Sequence, residues 1–128
     1  MNDNWLEDLP PTLENLTNVE RLYLQNNRLT SFPKPILKMH ALKTLNLSNN
    51  KIANIPPKIA QMESLEKLHL SGNPLETLPD ALAELPNLNV FRVNEDVLNS
   101  SEHNRNVVEG LMQNSCKIYR GRELYPIN

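Results

Sequence analysis

Three histidines, His40, His69 and His103, and a single cysteine, Cys116, are the side chains of this 128-residue chain best suited to hold a transition metal or to act as nucleophile and base. Metal sites built from such ligands place them a few residues apart, and none of these four lies that close to another. With three Gly in the chain, no Gly-rich phosphate loop and no strand-elbow nucleophile is present. Cys116 and Ile118 alternate with Lys117 and Tyr119, which reads Cys116 as a small buried hydrophobe rather than a reactive thiol. No catalytic residue, no metal and no cofactor is therefore expected. Recognition is the chemistry that remains. Four sets of residues recur every 23 positions: Arg21, Thr44, Lys67 and Val90; Tyr23, Asn46, His69 and Arg92; Gln25, Ser48, Ser71 and Asn94; and Asn26, Asn49, Gly72 and Glu95. The first two sets bring cations, a phenol ring and an imidazole together, and Tyr and Arg are frequent anchors of protein interfaces. The first three sets are the candidate partner-binding residues. An ordinary solvated sheet face of similar composition is the competing reading. His69, the one histidine of the strip, is expected to hydrogen-bond rather than to sense pH.

The elements that hold these sets follow from the same period. The stretches starting at Val19, Leu42, Leu65 and Leu88 read VERLYLQNNRL, LKTLNLSNNKI, LEKLHLSGNPL and LNVFRVNEDVL, without insertion or deletion. Alternating apolar residues at Leu22 and Leu24, Leu45 and Leu47, Leu68 and Leu70, and Phe91 and Val93 give a short strand with one buried face in each copy. Strands at equivalent places in successive copies must run parallel, so the rest of each copy has to serve as the crossover. Prolines at 33, 56 and 79 keep the period and favour an extended turn ahead of each return segment, expected to be a short helical turn or irregular. Asn27, Asn50 and Asn73 form a column whose carboxamides can both donate and accept, and so can satisfy backbone groups of adjacent coils. Asp96 breaks the column and Glu102 replaces the proline, which places the end of the stack near the fourth strand.

The pattern L-x-x-L-x-L-x-x-N-x-L followed by x-x-L-P-x-x-L-x-x-L resembles the leucine-rich repeat in its 23-residue form, over about residues 4 to 98. That resemblance implies an α/β solenoid: a curved parallel sheet on the concave face, short helical or irregular returns on the convex face, and caps at both ends. It also implies that the concave face binds a protein, in an adaptor, a scaffold, a regulator or a host-directed bacterial protein. One domain is expected across 1–128. Residues 1–18 form a half repeat whose Trp5, Leu6, Leu9, Leu13 and Leu16 cover the first coil, and residues 19–98 form four strand-bearing repeats, the last incomplete. Residues 99–128 form a cap with a helix over EHNRNVVEGLMQN, carrying Val107, Val108, Leu111 and Met112 at helical spacing, and then a final strand.

Composition limits the partners. With 13 Lys and Arg against 15 Asp and Glu the formal net charge is −2, which draws the chain to neither nucleic acid nor anionic membrane. No apolar run is long enough for a membrane span, and the opening MNDNWLEDLPP lacks the features of a secretory leader. A cytoplasmic protein is expected, with export by another route left open. Charge is uneven along the chain: Arg21 to Lys58 holds seven basic residues and no acidic one, and Glu63 to Glu102 holds eight carboxylates against Lys67 and Arg92. Much of this charge lies on the returns and reads as a solvated surface, with head-to-tail stacking as the alternative. A monomer is expected. The rival roles are self-assembly through the open edge of the first strand and substrate selection within a larger enzyme. Met1 and the C-terminal cap suggest a complete small protein, whereas the opening in mid-repeat keeps truncation possible.

Overall fold

The prolines act first, on local structure. Pro10, Pro33, Pro56 and Pro79 all adopt extended backbone with φ between −66° and −75°, and each precedes a single five-residue 3-10 turn: Pro11–Asn15, Lys34–Lys38, Pro57–Gln61 and Asp80–Glu84. Each proline carbonyl accepts the first hydrogen bond of its turn, from the amides of Leu13, Ile36, Ile59 and Leu82 at 3.0–3.1 Å. Proline thus contributes a fixed φ and an acceptor where its missing N–H would in any case have no partner. The computed structural model describes residue 7, residues 9–120 and residues 123–125.

Between the turns lie the strands β1 (Arg21–Tyr23), β2 (Thr44–Asn46), β3 (Lys67–His69), β4 (Val90–Val93) and β5 (Lys117–Arg120), all parallel in one sheet, with β6 (Glu123–Tyr125) antiparallel to β5. Register is constant at one residue per period, Leu22 opposite Leu45, Leu45 opposite Leu68 and Leu68 opposite Phe91. A shift by one would turn the leucines to water, so the hydrophobic pattern alone selects this pairing. The chain is an α/β solenoid with the sheet on its concave face and the turns outside. A second, minimal parallel contact on the return side joins Asn54 to Thr77. Leu45, Leu47, Leu68, Leu70, Phe91 and Val93 are wholly buried, as are Ile36 and Ile59 of the turns. Leu22, on the sheet's first strand, is only half-buried.

Inside the coils the asparagine column does what a donor–acceptor side chain allows. Asn50 Oδ1 accepts from the Leu29 amide at 3.1 Å, and its Nδ2 donates to the carbonyls of Leu24 at 3.0 Å and Leu47 at 2.9 Å. Asn73 repeats the arrangement one coil later, with the Ile52 amide and the carbonyls of Leu47 and Leu70. Asn27 donates to Leu24 within its own coil. The Asn50 and Asn73 carboxamides therefore each tie their own coil to the preceding one inside the core. Asp96 is exposed and leaves the ladder.

Just outside the strands the chain turns through left-handed backbone at Asn26 (φ 62°), Asn49 (φ 58°) and Gly72 (φ 78°). Asn tolerates this region and Gly occupies it without strain. Asn49 Nδ2 donates to Asn26 Oδ1 at 2.9 Å. A Cβ added to Gly72 would overlap Asn49 Oδ1, so the glycine is required by its neighbour as well as by its own φ.

Both ends depart from the repeat. At the start Leu9 and Leu13 are buried as expected, but Leu16 is 44% exposed, because no earlier coil stands against it among the described residues. Trp5 and Leu6 lie outside the described residues. At the finish a short helix α1 (Glu95–Asn99) replaces the left-handed turn of the earlier coils, and Leu98 stays fully buried within it. The cap helix α2 (Glu102–Gln113) follows, with Ser101 Oγ accepting from the Asn104 amide at its N-terminus. Val107, Val108 and Leu111 face the core, whereas Met112 is 36% exposed and does not. Asn104 is fully buried and takes over the ladder's work on the return side: Oδ1 accepts from the Leu78 amide at 2.8 Å, and Nδ2 donates to the Glu76 carbonyl at 2.9 Å and the Val97 carbonyl at 3.0 Å.

Two outcomes test this account. Asn50→Ala strands the Leu29 amide in the core and removes one of two carboxamide donors from each of the Leu24 and Leu47 carbonyls, and should lower unfolding free energy in urea by about 2 kcal/mol; a loss below about 0.5 kcal/mol would mean that the ladder is not a structural tie. Gly72→Ala combines an unfavourable φ with the overlap at Asn49 and should cost about 2 kcal/mol, and pairing it with Asn49→Ala should recover part of that loss.

Candidate functional site

The side chains between the buried leucines have nowhere to point but outward from the sheet, so the strand register decides which of them become neighbours. It places Arg21, Thr44, Lys67, Val90 and Lys117 in one row and Tyr23, Asn46, His69, Arg92 and Tyr119 in the next. Successive members of a row are separated by one strand spacing, about 4.8 Å. Eight of the twelve partner-binding candidates named from the sequence thus fall on one face, and the other four, Gln25, Ser48, Ser71 and Asn94, follow just after the strands. Arg21, Tyr23 and Lys67 are exposed; Gln25, Thr44, Asn46, Ser48, His69, Ser71, Val90, Arg92 and Asn94 are half-buried. Sequence reasoning left out Lys117 and Tyr119, which β5 adds to the two rows. The signal was the Cys116–Ile118 alternation, but the partner of that strand cannot be read from the repeat, since it follows a helix.

The rows hold one another in place. The Arg92 guanidinium stacks over the Tyr119 ring at 4.3 Å from its centroid, a contact that leaves its charge intact and restricts its rotation. Asn46 Oδ1 accepts from the Ser48 amide at 3.0 Å, and Asn94 Oδ1 accepts from the Gly72 amide at 2.8 Å while its Nδ2 donates to the Asn73 carbonyl. Gln25 Oε1 and Ser71 Oγ are withdrawn from solvent without a hydrogen-bond partner among the described residues. His69 sits between Asn46 and Arg92. Burial, and then the charges of Arg92 and Lys67, lower its pKa below the ordinary 6.5, so the ring is neutral at pH 7.

The electrostatics of the face differ from those of the chain. Among the ten positions of the two rows there are four cations, Arg21, Lys67, Arg92 and Lys117, and no carboxylate. With those four set aside, the formal net charge of the remaining residues falls from −2 to −6. Glu20 and Glu66 stand one residue before the first row; Glu20 is engaged by Lys43 at 3.4 Å.

Other titratable groups serve the stack. Cys116 is buried, and burial pushes its thiol up to about 11, which keeps it protonated and unreactive at neutral pH. His103 Nε2 lies 2.8 Å from the Leu78 carbonyl and 3.8 Å from Asp80, so it closes the same backbone segment as Asn104. Two shallow recesses, lined by Glu7, Arg28, Thr30 and Lys51 and by His40, Gln61, Glu63 and Ser64, lie away from the two rows. Among the described residues no group of three or more His, Cys, Asp and Glu could hold a metal ion, and no helix is long and apolar enough to cross a membrane.

Known proteins share this architecture. The family model described as Leucine rich repeat matches residues 1–52, 17–75 and 40–98. No curated protein was found to match. Among solved structures, a leucine-rich repeat protein of Leptospira interrogans is similar over 91% of this chain and 29% of its own, with 32% identity and a TM-score of 0.77. The plant peptide hormone receptor RGFR1 in complex with RGF2 is similar over 69% of this chain and 15% of its own, with 32% identity and a TM-score of 0.62. An internalin, inlF, of Listeria monocytogenes shares the fold at 20% identity and a TM-score of 0.71, over 91% of this chain and 32% of its own. The chain thus spans about a third or less of the length of each of these structures. From the ladder of asparagines to the family model laid over three successive stretches, the observations agree: this chain belongs to the leucine-rich repeat family.

Proposed function

We propose that this chain is a non-enzymatic protein-interaction module that takes a protein partner on the concave sheet face, through Arg21, Tyr23, Asn46, Lys67, His69 and Arg92. The observation that carries the reading is the coincidence, on one face, of a constant strand register with a row of aromatic and cationic side chains held by the sheet beneath them. A face set in advance loses little conformational freedom on docking, so more of the contact energy appears as affinity. Residues on the buried side of each strand are committed to the core, leaving these as the variable part of every repeat. The family's usual role in protein interaction supports the same reading, as does the similarity to a receptor solved with its peptide hormone.

At pH 7 the partner meets a neutral His69, which donates from one ring nitrogen and accepts on the other. Acidification adds a fifth cation to the two rows.

Capture by the natural chain, compared with an Arg21→Glu, Tyr23→Ala, Arg92→Glu variant, tests the proposal. The variant should lose at least tenfold in partner capture while its melting temperature stays within about 3 °C, since two of the three residues are exposed and none belongs to the core. Undiminished capture would move the site to the turns or the caps. In NMR titration the His69 ring should charge below pH 6.5, and Arg92→Gln should raise its midpoint; an unmoved midpoint would contradict the juxtaposition. Because the folded chain holds fewer protons at His69 than the unfolded one, stability should fall as pH drops below about 6.5, and His69→Gln should remove that part of the fall.

A further inference from the structure

The two concave rows leave one feature that protein binding in general does not explain, four cations with no carboxylate among them. We infer that the occupant of this face is an extended acidic polypeptide segment that crosses the strands, with carboxylates about three residues apart. This rests on the concave-face reading and specifies the partner's chemistry.

The spacing comes from the first row. Its cations stand at Arg21 on β1, Lys67 on β3 and Lys117 on β5, with the uncharged Thr44 and Val90 on the strands between. Alternate strands are about 9.6 Å apart. An extended chain of polyproline type rises about 3.1 Å per residue and returns to the same side every third residue, a repeat of about 9.3 Å. A β-strand repeats its side after two residues, about 6.6 Å, and an α-helix turns in 5.4 Å, so neither keeps step with the cations. Arg92 lies in the neighbouring row, beside the span between Lys67 and Lys117, where it can receive a second carboxylate. The same positive field acts on His69, whose proton affinity is lowered in part by Arg92 and Lys67.

A polypeptide fits better than a polyphosphate, because between their cations the two rows offer both kinds of hydrogen-bonding group. Thr44 and the neutral His69, both only half-buried, can donate and accept; a peptide backbone supplies donors and acceptors at every residue, whereas a phosphate chain supplies acceptors alone. Tyr23 at one end of the second row, 45% exposed, offers a ring against which the segment can pack.

The test uses fluorescent thirteen-residue peptides in a Pro/Gln background, with four Glu placed at every second, third or fourth position, and an all-Gln control, titrated with the whole chain at low salt by anisotropy. The third-position peptide should bind at least fivefold more tightly than the other two and weaken steeply with salt, with no binding by the Gln control. Arg21→Glu with Lys67→Glu should weaken it at least tenfold, and Lys34→Glu with Lys58→Glu, the same charge change on exposed residues of the return segments, less than twofold. Equal binding of all spacings, or of the Gln control, overturns the inference. So does equal weakening by the two double variants, which would show attraction to net charge alone. If no acidic peptide binds while the Arg21, Tyr23 and Arg92 variant still loses its captured partner, the acidic chemistry falls and the concave-face reading stands. If a peptide binds but loses affinity only in the Lys34 and Lys58 variant, both fall.

Discussion

A buried carboxamide in each inner coil, bonded to backbone both of its own coil and of the coil before, is the constraint from which the rest of this molecule follows. Asn50 and Asn73 each accept from an amide 21 residues earlier and donate to a carbonyl 26 residues earlier. Those separations bracket 23, and they admit no insertion or deletion between coils without leaving backbone groups unpaired in the core. The uniform period is therefore an energetic requirement. A uniform period sets a uniform register, and a uniform register aligns every outward side chain into rows. The face proposed to take a partner is a consequence of the ladder on the other side of the strands.

The prolines and the ladder divide the work of curvature. On the inner side, parallel strands bring successive coils to the spacing of backbone hydrogen bonds. On the outer side, each 3-10 turn occupies more width than a strand, and its isoleucines and leucines fill the wedge. A stack that is tight inside and broad outside bends its sheet into a concave surface. Charge is then sorted by position: carboxylates populate the turns, the helices and the margin, and the two central rows carry only cations and neutral groups. That absence of carboxylates from the two rows is the basis of the acidic partner proposed for the face.

Most of this was legible in the residues because the repeat is a local code read four times. The leucine alternation set the strands, the proline column set the turns, and Asn27, Asn50 and Asn73 announced the ladder. What escaped was whatever depends on the end of the repeat. Asn104 belongs to no column, yet its carboxamide closes the Glu76 and Leu78 backbone from 28 and 26 residues away. The helix α1 replaces the left-handed turn because Glu95 and Asp96 stand where the earlier coils have Asn or Gly followed by the ladder asparagine. Leu16 and Met112 carry the spacing of buried residues but lack a neighbouring coil or face to cover them among the described residues. The stacking of Arg92 on Tyr119 joins two members of one row, the second of which follows a helix, and periodicity stops short of it.

The central claim is that β1 to β4 present their outward rows as one rigid unit fixed by backbone and ladder bonds. Native-state hydrogen exchange of five amides tests it most directly: Leu24, Leu47 and Leu70, which donate across the sheet to the carbonyls of Asn46, His69 and Arg92, and Leu29 and Ile52, which donate to the ladder. The account predicts that all five exchange together, at the free energy of global unfolding, and that Asn50→Ala accelerates them as a group. Exchange that proceeds coil by coil through local openings, with Leu24 and Leu29 faster than Ile52 and Leu70 by orders of magnitude, would contradict it and show a face assembled only on binding.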